Sequence, residues 1–394
     1  MLACASRTID ISGFKPASFE IRYDLQNMSN SGTRTYIFIR QLYSHNSYLN
    51  MNTILNRNSI LTKYTSIGIL ILSMHTAFAQ KEGPWLHFSP PAGQSNGKYI
   101  VLVGGDEAYR SEESLPMLAK ILAERHGFST TVLFAINPET GFIDPNYHQN
   151  IPGLQFLAKA DLMIIATRFR ELPDDQMHYI NNYFVAGKPV IGLRTATHAF
   201  HYSRNPNNKY AKYGFKSNQK GWEGGFGKRI LGENWVNHHG ASGKEGTRGL
   251  INGLEVADAN PILNGISDIW TTTEVYGIKS LPSNSKVLLW GQGTEGVYPT
   301  ASGIWTRSVM PIAWIRTYLG ESGKSGRVFN TTMGAAIDFV NEDLRRLVVN
   351  AAYWTVGLEK SIPAKSNVDF VGKYEPTMFG MDGFQKGKKP LDYK

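Results

Sequence analysis

The stretch KPVIGLRTATHAF, Lys188 to Phe200, does most to limit what this chain can fold into. Pro189 to Leu193 is an apolar run that ends in a sharp turn and the start of a helix. A strand that is apolar throughout suits a sheet covered on both faces, as parallel sheets are. In α/β hydrolases the same order of strand, elbow and helix carries the nucleophile at the turn. Here the turn reads Arg194-Thr195-Ala196-Thr197-His198. A guanidinium stays protonated, so Arg194 is neither nucleophile nor base. Its five fixed donors suit a carboxylate, a phosphate or a developing oxyanion.

The flanking sequence repeats the strand–helix rhythm. KYIVLVGG, Lys98 to Gly105, predicts a buried strand. Glu113 to His126 has the helical spacing Leu115, Leu118, Ala119, Leu122, Ala123, with Gly127 as its stop. Further strands are predicted over 130–135, 160–167 and 189–193, with helices over 151–158 and from Pro173 to about Ala186. Such alternation predicts an α/β chain whose mostly parallel sheet has helices on both faces. After Phe200 the pattern loosens into a long Asn-, Lys- and Gly-rich loop ending in GWEGGFG, read as a lid or binding loop. Strand-like runs return at 235–239, 270–278, 285–291, 312–318 and 327–332, and a helix at 342–356. Residues 80–360 are expected to form one domain, and the Lys-, Pro- and Gly-rich residues 361–394 a loosely packed tail.

The first 79 residues read differently. From Met51, two basic residues (Arg57, Lys63), a short apolar run (Ile67 to Met74) and Ala77-Phe78-Ala79 make the three-part pattern of a secretory signal over 51–79. The apolar run is shorter than the ~20 residues a membrane span requires. Residues 1–50 lack periodicity and read as a leader or a misassigned start. The expected mature protein is secreted or periplasmic, begins at Gln80 and has no membrane anchor. It loses Cys4, the single cysteine, and with it thiolate chemistry, disulfides and Cys metal ligands. Removing 7 Lys and Arg and 3 Asp and Glu leaves 34 against 29, a balance of +5, spread along the chain. No basic run with interleaved aromatics is present, so nucleic acid is not an expected partner.

Ligands of open α/β sheets bind outside the carboxyl ends of the strands. Asp106 and Glu107 follow VLVGG, Arg168 follows LMIIAT, and Arg194 and His198 stand at the elbow. These residues predict a polar pocket; the alternative is that Arg194 pairs with Asp106 or Glu107 to brace neighbouring strands. Thr195 and Thr197 lack a base in the right place to act as nucleophiles. In WVNHHG, His238 and His239 are adjacent and point to opposite faces of a regular strand, so only one can face a given pocket. Glu274 and Tyr276 are two apart and share a face. A metal requires three or more convergent ligands, and only one of these histidines, Glu274 and His198 offer themselves, so none is expected. VGGDE lacks the spacing of a dinucleotide or phosphate loop, and no cofactor is expected. Trp222 and Trp305, both in loop sequence, are the better candidates for stacking on sugar.

Five segments in order, VIGLRTATHAF, ILGENWVNHHG, NPILNGISDIWTTTEVYG, MPIAWIRTYLGESGKSGRVFNTTMG and LRRLVVNAAYWTVG, resemble the ThuA-like (trehalose-utilisation) family, within the class I glutamine-amidotransferase-like superfamily. The resemblance implies a flavodoxin-like three-layer sandwich with long inserted loops, and carbohydrate-linked metabolism. It implies a site acid at Glu274, followed by Tyr276. This chain departs from the family pattern in having Arg194 where the family has His, and Ala335-Ala336 where it has His-Asp. The absence of cysteine from the mature chain excludes glutamine hydrolysis by a thiolate. The resulting expectation is acid–base chemistry on a small carbohydrate or keto-sugar, whether hydrolysis, isomerisation or elimination. Glu274 with His238, His239 or His198 would move protons, and Asp106, Glu107, Arg168, Arg194, Trp222 and Tyr276 would bind substrate. The alternatives are a carbohydrate-binding protein without catalysis, a metal-dependent hydrolase, and a structural domain of a surface assembly.

Overall fold

The computed structural model describes residues 83–251 and 260–394, with three short strands near the N-terminus. The chain divides into two units, 1–80 and 81–394. In the first, β1 (Thr8–Ile9), β2 (Ile21–Gln26) and β3 (Arg34–Ile39) form an antiparallel sheet. The export signal expected at 51–79 lies outside the described residues.

The second unit is built on one ten-stranded sheet. In chain order its elements are β4 (Trp85–Phe88), β5 (Tyr99–Gly105), α1 (Ser111–His126), β6 (Ser129–Leu133), β7 (Leu162–Thr167), α2 (Asp174–Val185), β8 (Val190–Leu193), β10 (Gly246–Ile251), β11 (Ile269–Thr271), β13 (Lys286–Thr294), β14 (Met310–Leu319), β15 (Ser325–Thr331) and α3 (Glu342–Thr355). A small separate pair, β9 (Asn237–His238) and β12 (Tyr276–Gly277), lies between them in sequence. Across the large sheet the order is β11-β10-β13-β14-β15-β8-β7-β5-β6-β4. The five strands from β15 to β6 are parallel, whereas β4 and the β14-to-β11 wing are antiparallel. The expected mostly parallel sheet is therefore corrected to a mixed one. β14 and β15 are joined by the short turn Gly320–Lys324, and a connection that short permits only antiparallel neighbours, so the wing begins with a reversed strand.

Alternate residues of the parallel strands enter two apolar layers. Ile100, Leu102, Leu162, Ile164, Ile191, Leu193 and Phe329 pack with α1 and α3. Val101, Val103, Met163, Ile165, Val190 and Val328 pack with α2 and the segment 196–231. This two-sided burial explains the uninterrupted apolar runs. Gly127 ends α1 in the left-handed conformation at φ 73°, and Phe128 N–H donates back to Leu122 O, which closes the helix.

Residues 361–394 are not a loose tail. Arg345 and Arg346 of α3 donate to the carbonyls of Val368 and Ser366, Thr377 donates its N–H and hydroxyl to Glu113, and Arg110 donates to Gly380 O at 2.7 Å. The segment is a strap across one end of the sheet. Among the described residues no helix is long and apolar enough to cross a membrane.

Candidate active site

A cavity of about 280 Å³ opens at the carboxyl ends of β5, β7 and β8. Residues after β5 (Ala108, Tyr109), after β7 (Arg168, Phe169) and after the elbow (His198) form its floor. Trp235, His238, Ser242, Gly243 and Tyr276 close one side, and Phe379, Gly380 and Met381 of the strap close another. The cavity lies where the parallel order reverses, with β6 on one side of β5 and β7 on the other.

Behind this cavity is a buried cluster of charged and hydrogen-bonded side chains. Arg194 is 1 % exposed, and its φ of 44° is left-handed, as a strained elbow requires. Its Nη1 donates to the carbonyls of Glu274 (2.9 Å) and Thr332 (2.8 Å), and its Nη2 to Glu274 Oε1 (2.7 Å) and Tyr109 Oη (3.2 Å). The guanidinium also stacks on Tyr276 at 3.8 Å and on Tyr109 at 4.5 Å. Glu274 Oε1 in turn accepts from Nδ1 of His238 at 2.5 Å. Burial pushes the Glu274 pKa up, but Arg194 and the His238 hydrogen bond outweigh it and hold the carboxyl below its ordinary value. The carboxylate is thus ionised and fixes the His238 ring, whose side chain is 43 % exposed.

The backbone supports this geometry. Asp338 is fully buried and accepts from Thr273 N–H, Thr273 Oγ1, Gly334 N–H and Ala335 N–H at 2.7–3.1 Å, which locks the residue before Glu274 to the loop after β15. A Cβ on Gly240 would lie 2.9 Å from that of Glu274, so the final Gly of WVNHHG lets the two segments approach.

The remaining expected residues divide. Arg168 lines the cavity, with one nitrogen on Glu107 and its plane on Phe169 at 4.2 Å. His198 and Tyr276 also line it. Asp106 does not: its carboxylate accepts from Ala108 N–H, Tyr109 N–H and the Thr195 hydroxyl, and so shapes the turn after β5. Glu107 is spent on Arg168 and Arg170, and burial raises its pKa. Arg194 itself lies behind the cavity wall, and its hydrogen bonds go to Glu274, Thr332 and Tyr109 instead of Asp106 or Glu107. His239 turns away and bonds to Ser308 O at 2.8 Å. Trp222 packs elsewhere, against Tyr213 and Lys212, and Trp305 is 81 % exposed. Residues missed from sequence are Tyr109, Phe169, Asp338 and Phe379, and Trp235 lines the cavity where Trp222 and Trp305 were preferred. Each is an ordinary core or loop residue by pattern, and only folding brings them together. Among the described residues no three His, Cys, Asp or Glu side chains come together as a metal site.

The sequence profile of the ThuA family, described as trehalose utilisation, matches residues 100–355. The chain belongs to the ThuA family. Among solved structures, a ThuA-like protein of Parabacteroides merdae ATCC 43184 is 18 % identical, with 66 % of this chain and 90 % of that one covered at a TM-score of 0.41. A ThuA-like protein of Bacteroides uniformis ATCC 8492 is 15 % identical, with 69 % and 96 % covered at a TM-score of 0.42. No curated protein matches this ThuA-family chain significantly. The matched span contains the elbow, the His238–Glu274 pair and Asp338; the strap that closes the cavity lies beyond it.

Proposed function

We propose that this ThuA-family protein is an enzyme acting on a small carbohydrate by acid–base chemistry, with His238 as the group that moves the proton and Glu274 as its orienting carboxylate. The carrying observation is the 2.5 Å contact of His238 Nδ1 with a buried carboxylate that Arg194 keeps ionised. A carboxylate in that position fixes the tautomer, leaves Nε2 free to accept a proton, and stabilises the imidazolium that results. The aromatic walls Tyr109, Phe169, Trp235 and Phe379 suit the apolar faces of a sugar ring, and Arg168 supplies donors for its oxygens. The cavity falls just below the ~300–1,000 Å³ of drug-sized sites, which favours one ring over a long chain. The same walls would serve a carbohydrate-binding protein without catalysis, the second reading.

The order of the parallel strands, 2-1-3-4-5 when numbered among themselves, is that of flavodoxin-like folds. It supports reading the core as flavodoxin-like with an antiparallel extension. We also read residues 51–79 as an export signal, which N-terminal sequencing of secreted protein would check.

A thermal-shift screen of disaccharides and oxidised sugars identifies a ligand, since ~100 Kd of ligand stabilises by about 2.7 kcal/mol. On the active compound, Glu274→Gln and His238→Ala lower kcat by roughly 10²–10⁴ and leave affinity within several-fold. Unchanged kcat in both variants refutes the enzyme reading.

A further inference from the structure

His198 has no part in the proton transfer assigned to His238, yet it is the more constrained imidazole. It is 3 % exposed and lines the cavity. Its ring lies 5.2 Å from Phe169, on which Arg168 stacks, and 5.4 Å from Trp235, which is 5.5 Å from the His238 ring. It therefore sits between the cation of the cavity and the His238–Glu274 pair.

Its tautomer follows from one hydrogen bond. Nδ1 is 3.2 Å from Oγ1 of Thr197, a fully buried residue whose hydroxyl has no other partner among the described residues. A buried hydroxyl proton left without an acceptor costs about 1–3 kcal/mol, so Thr197 donates and Nδ1 accepts. The ring proton then resides on Nε2, which has no protein partner among the described residues. We propose that His198 is a second catalytic residue whose Nε2–H donates to a carbonyl oxygen of the substrate, and that the reaction is a proton shift beside that carbonyl.

The step balances without a co-reactant. His238 Nε2 takes a proton from the carbon next to the carbonyl, and the C–H electron pair forms a C=C bond. The C=O π pair moves to oxygen, where His198 and Arg168 stabilise the charge. A proton passes from the hydroxyl of the deprotonated carbon to the former carbonyl oxygen, and return of the His238-held proton to the former carbonyl carbon, with the new C=O formed at its neighbour, completes an isomerisation with no net oxidation or reduction. Burial, together with Arg168, Arg194 and His238, keeps the His198 pKa well below 6.5, so the ring donates as a neutral imidazole. A neutral imidazole polarises a carbonyl in the same way in triosephosphate isomerase. The substrate class is a monosaccharide-sized ketone: a ketose or a sugar ring bearing a ketone.

This proposal rests on the reading of His238 as the base, and the experiment separates the two. The full chain in D2O is incubated with D-fructose, D-ribulose and ring ketones made by oxidising methyl glucosides, and proton NMR follows exchange beside the carbonyl. Wild type exchanges at least one of them. His198→Phe loses about 10²–10³-fold in kcat, the usual effect of removing one such donor. His198→Gln, which keeps an N–H donor, retains at least about a tenth of the rate and the wild-type pH profile, and it decides the matter if the Phe variant does not fold. No exchange with any ketone, wild-type exchange by His198→Phe, or a Gln variant as inactive as the Phe variant overturns the proposal. Hydrolysis of a plain glycoside without exchange also overturns it and leaves the His238–Glu274 pair standing. Exchange at the wild-type rate by His238→Ala alone removes the base and leaves the donor standing.

Discussion

Replacing Arg194 with Met isolates what the buried guanidinium does. Met fills similar space and keeps a side chain at φ 44°, so any backbone strain is common to both proteins. What changes is the pair of Arg194 Nη2 with Glu274 Oε1, at 2.7 Å and 1 % and 0 % exposure. Removing one member of a buried pair costs roughly 3–5 kcal/mol, because the remaining charge has lost its partner. For a unit of this size that is a fall in Tm of roughly 5–8 °C. The pH dependence is the sharper signature. In the wild type the folded-state pKa of Glu274 is lowered. It therefore contributes stability above its unfolded-state value of about 4.3, and this is lost as pH falls through the folded pKa. In Arg194→Met burial dominates and raises that pKa, so the variant's deficit is greatest near pH 8 and shrinks toward pH 5. Urea unfolding at both pH values, repeated with Arg194→Met/Glu274→Gln, measures it. The double variant should recover about 2 kcal/mol or more relative to the sum of the single losses. A deficit equal at the two pH values, with coupling below about 0.5 kcal/mol, would refute the ion-pair reasoning and leave Arg194 a packing residue.

Three further outcomes follow from the geometry. Both carboxylate oxygens of Glu112 are buried with no side-chain hydrogen-bond partner among the described residues, and burial raises its pKa to about 8. The folded state holds this proton to higher pH than the unfolded state, so stability falls as pH rises between about 4.3 and 8; Glu112→Gln should flatten this slope in urea titrations, and an unchanged slope counts against it. His239→Ala should leave turnover within two- to three-fold while His238→Ala removes it, because the two rings face opposite ways; equal losses contradict the assignment. Phe379→Ala should weaken ligand binding by about 1–2 kcal/mol with little effect on kcat, since its ring stacks on Tyr109 at 5.5 Å and walls the cavity; calorimetry checks it.

The strands nearest the site were the easiest part of the fold to read. β5, β7 and β8 are short apolar runs bounded by glycine or turn residues, and burial on both faces leaves no polar position to blur them. The elbow at Arg194 was legible for the same reason. β10 was not, because Gly246, Thr247, Arg248 and Gly249 carry neither alternation nor a β-branched run, and their strand pairing is imposed by β11 and β13. In the site, alternation showed that only one of His238 and His239 could face the cavity, but not which. The pairing of Arg194 with Glu274 joins residues 80 positions apart and depends on side-chain direction. A charged residue at a strand end has no sequence signal that separates a ligand contact from a buried partner, and Asp106, Glu107 and Arg194 all fell on the buried side. The strap was missed because Lys, Pro and Gly mark both solvent-exposed tails and segments held by backbone hydrogen bonds.

The strap also sets the order in which the site can come into being. Phe379, Gly380 and Met381 emerge from the ribosome after every strand of the sheet has been made, so a nascent chain can complete its β-layer and still lack one side of the chamber. Closure of the chamber thus waits on a segment made after the sheet it covers.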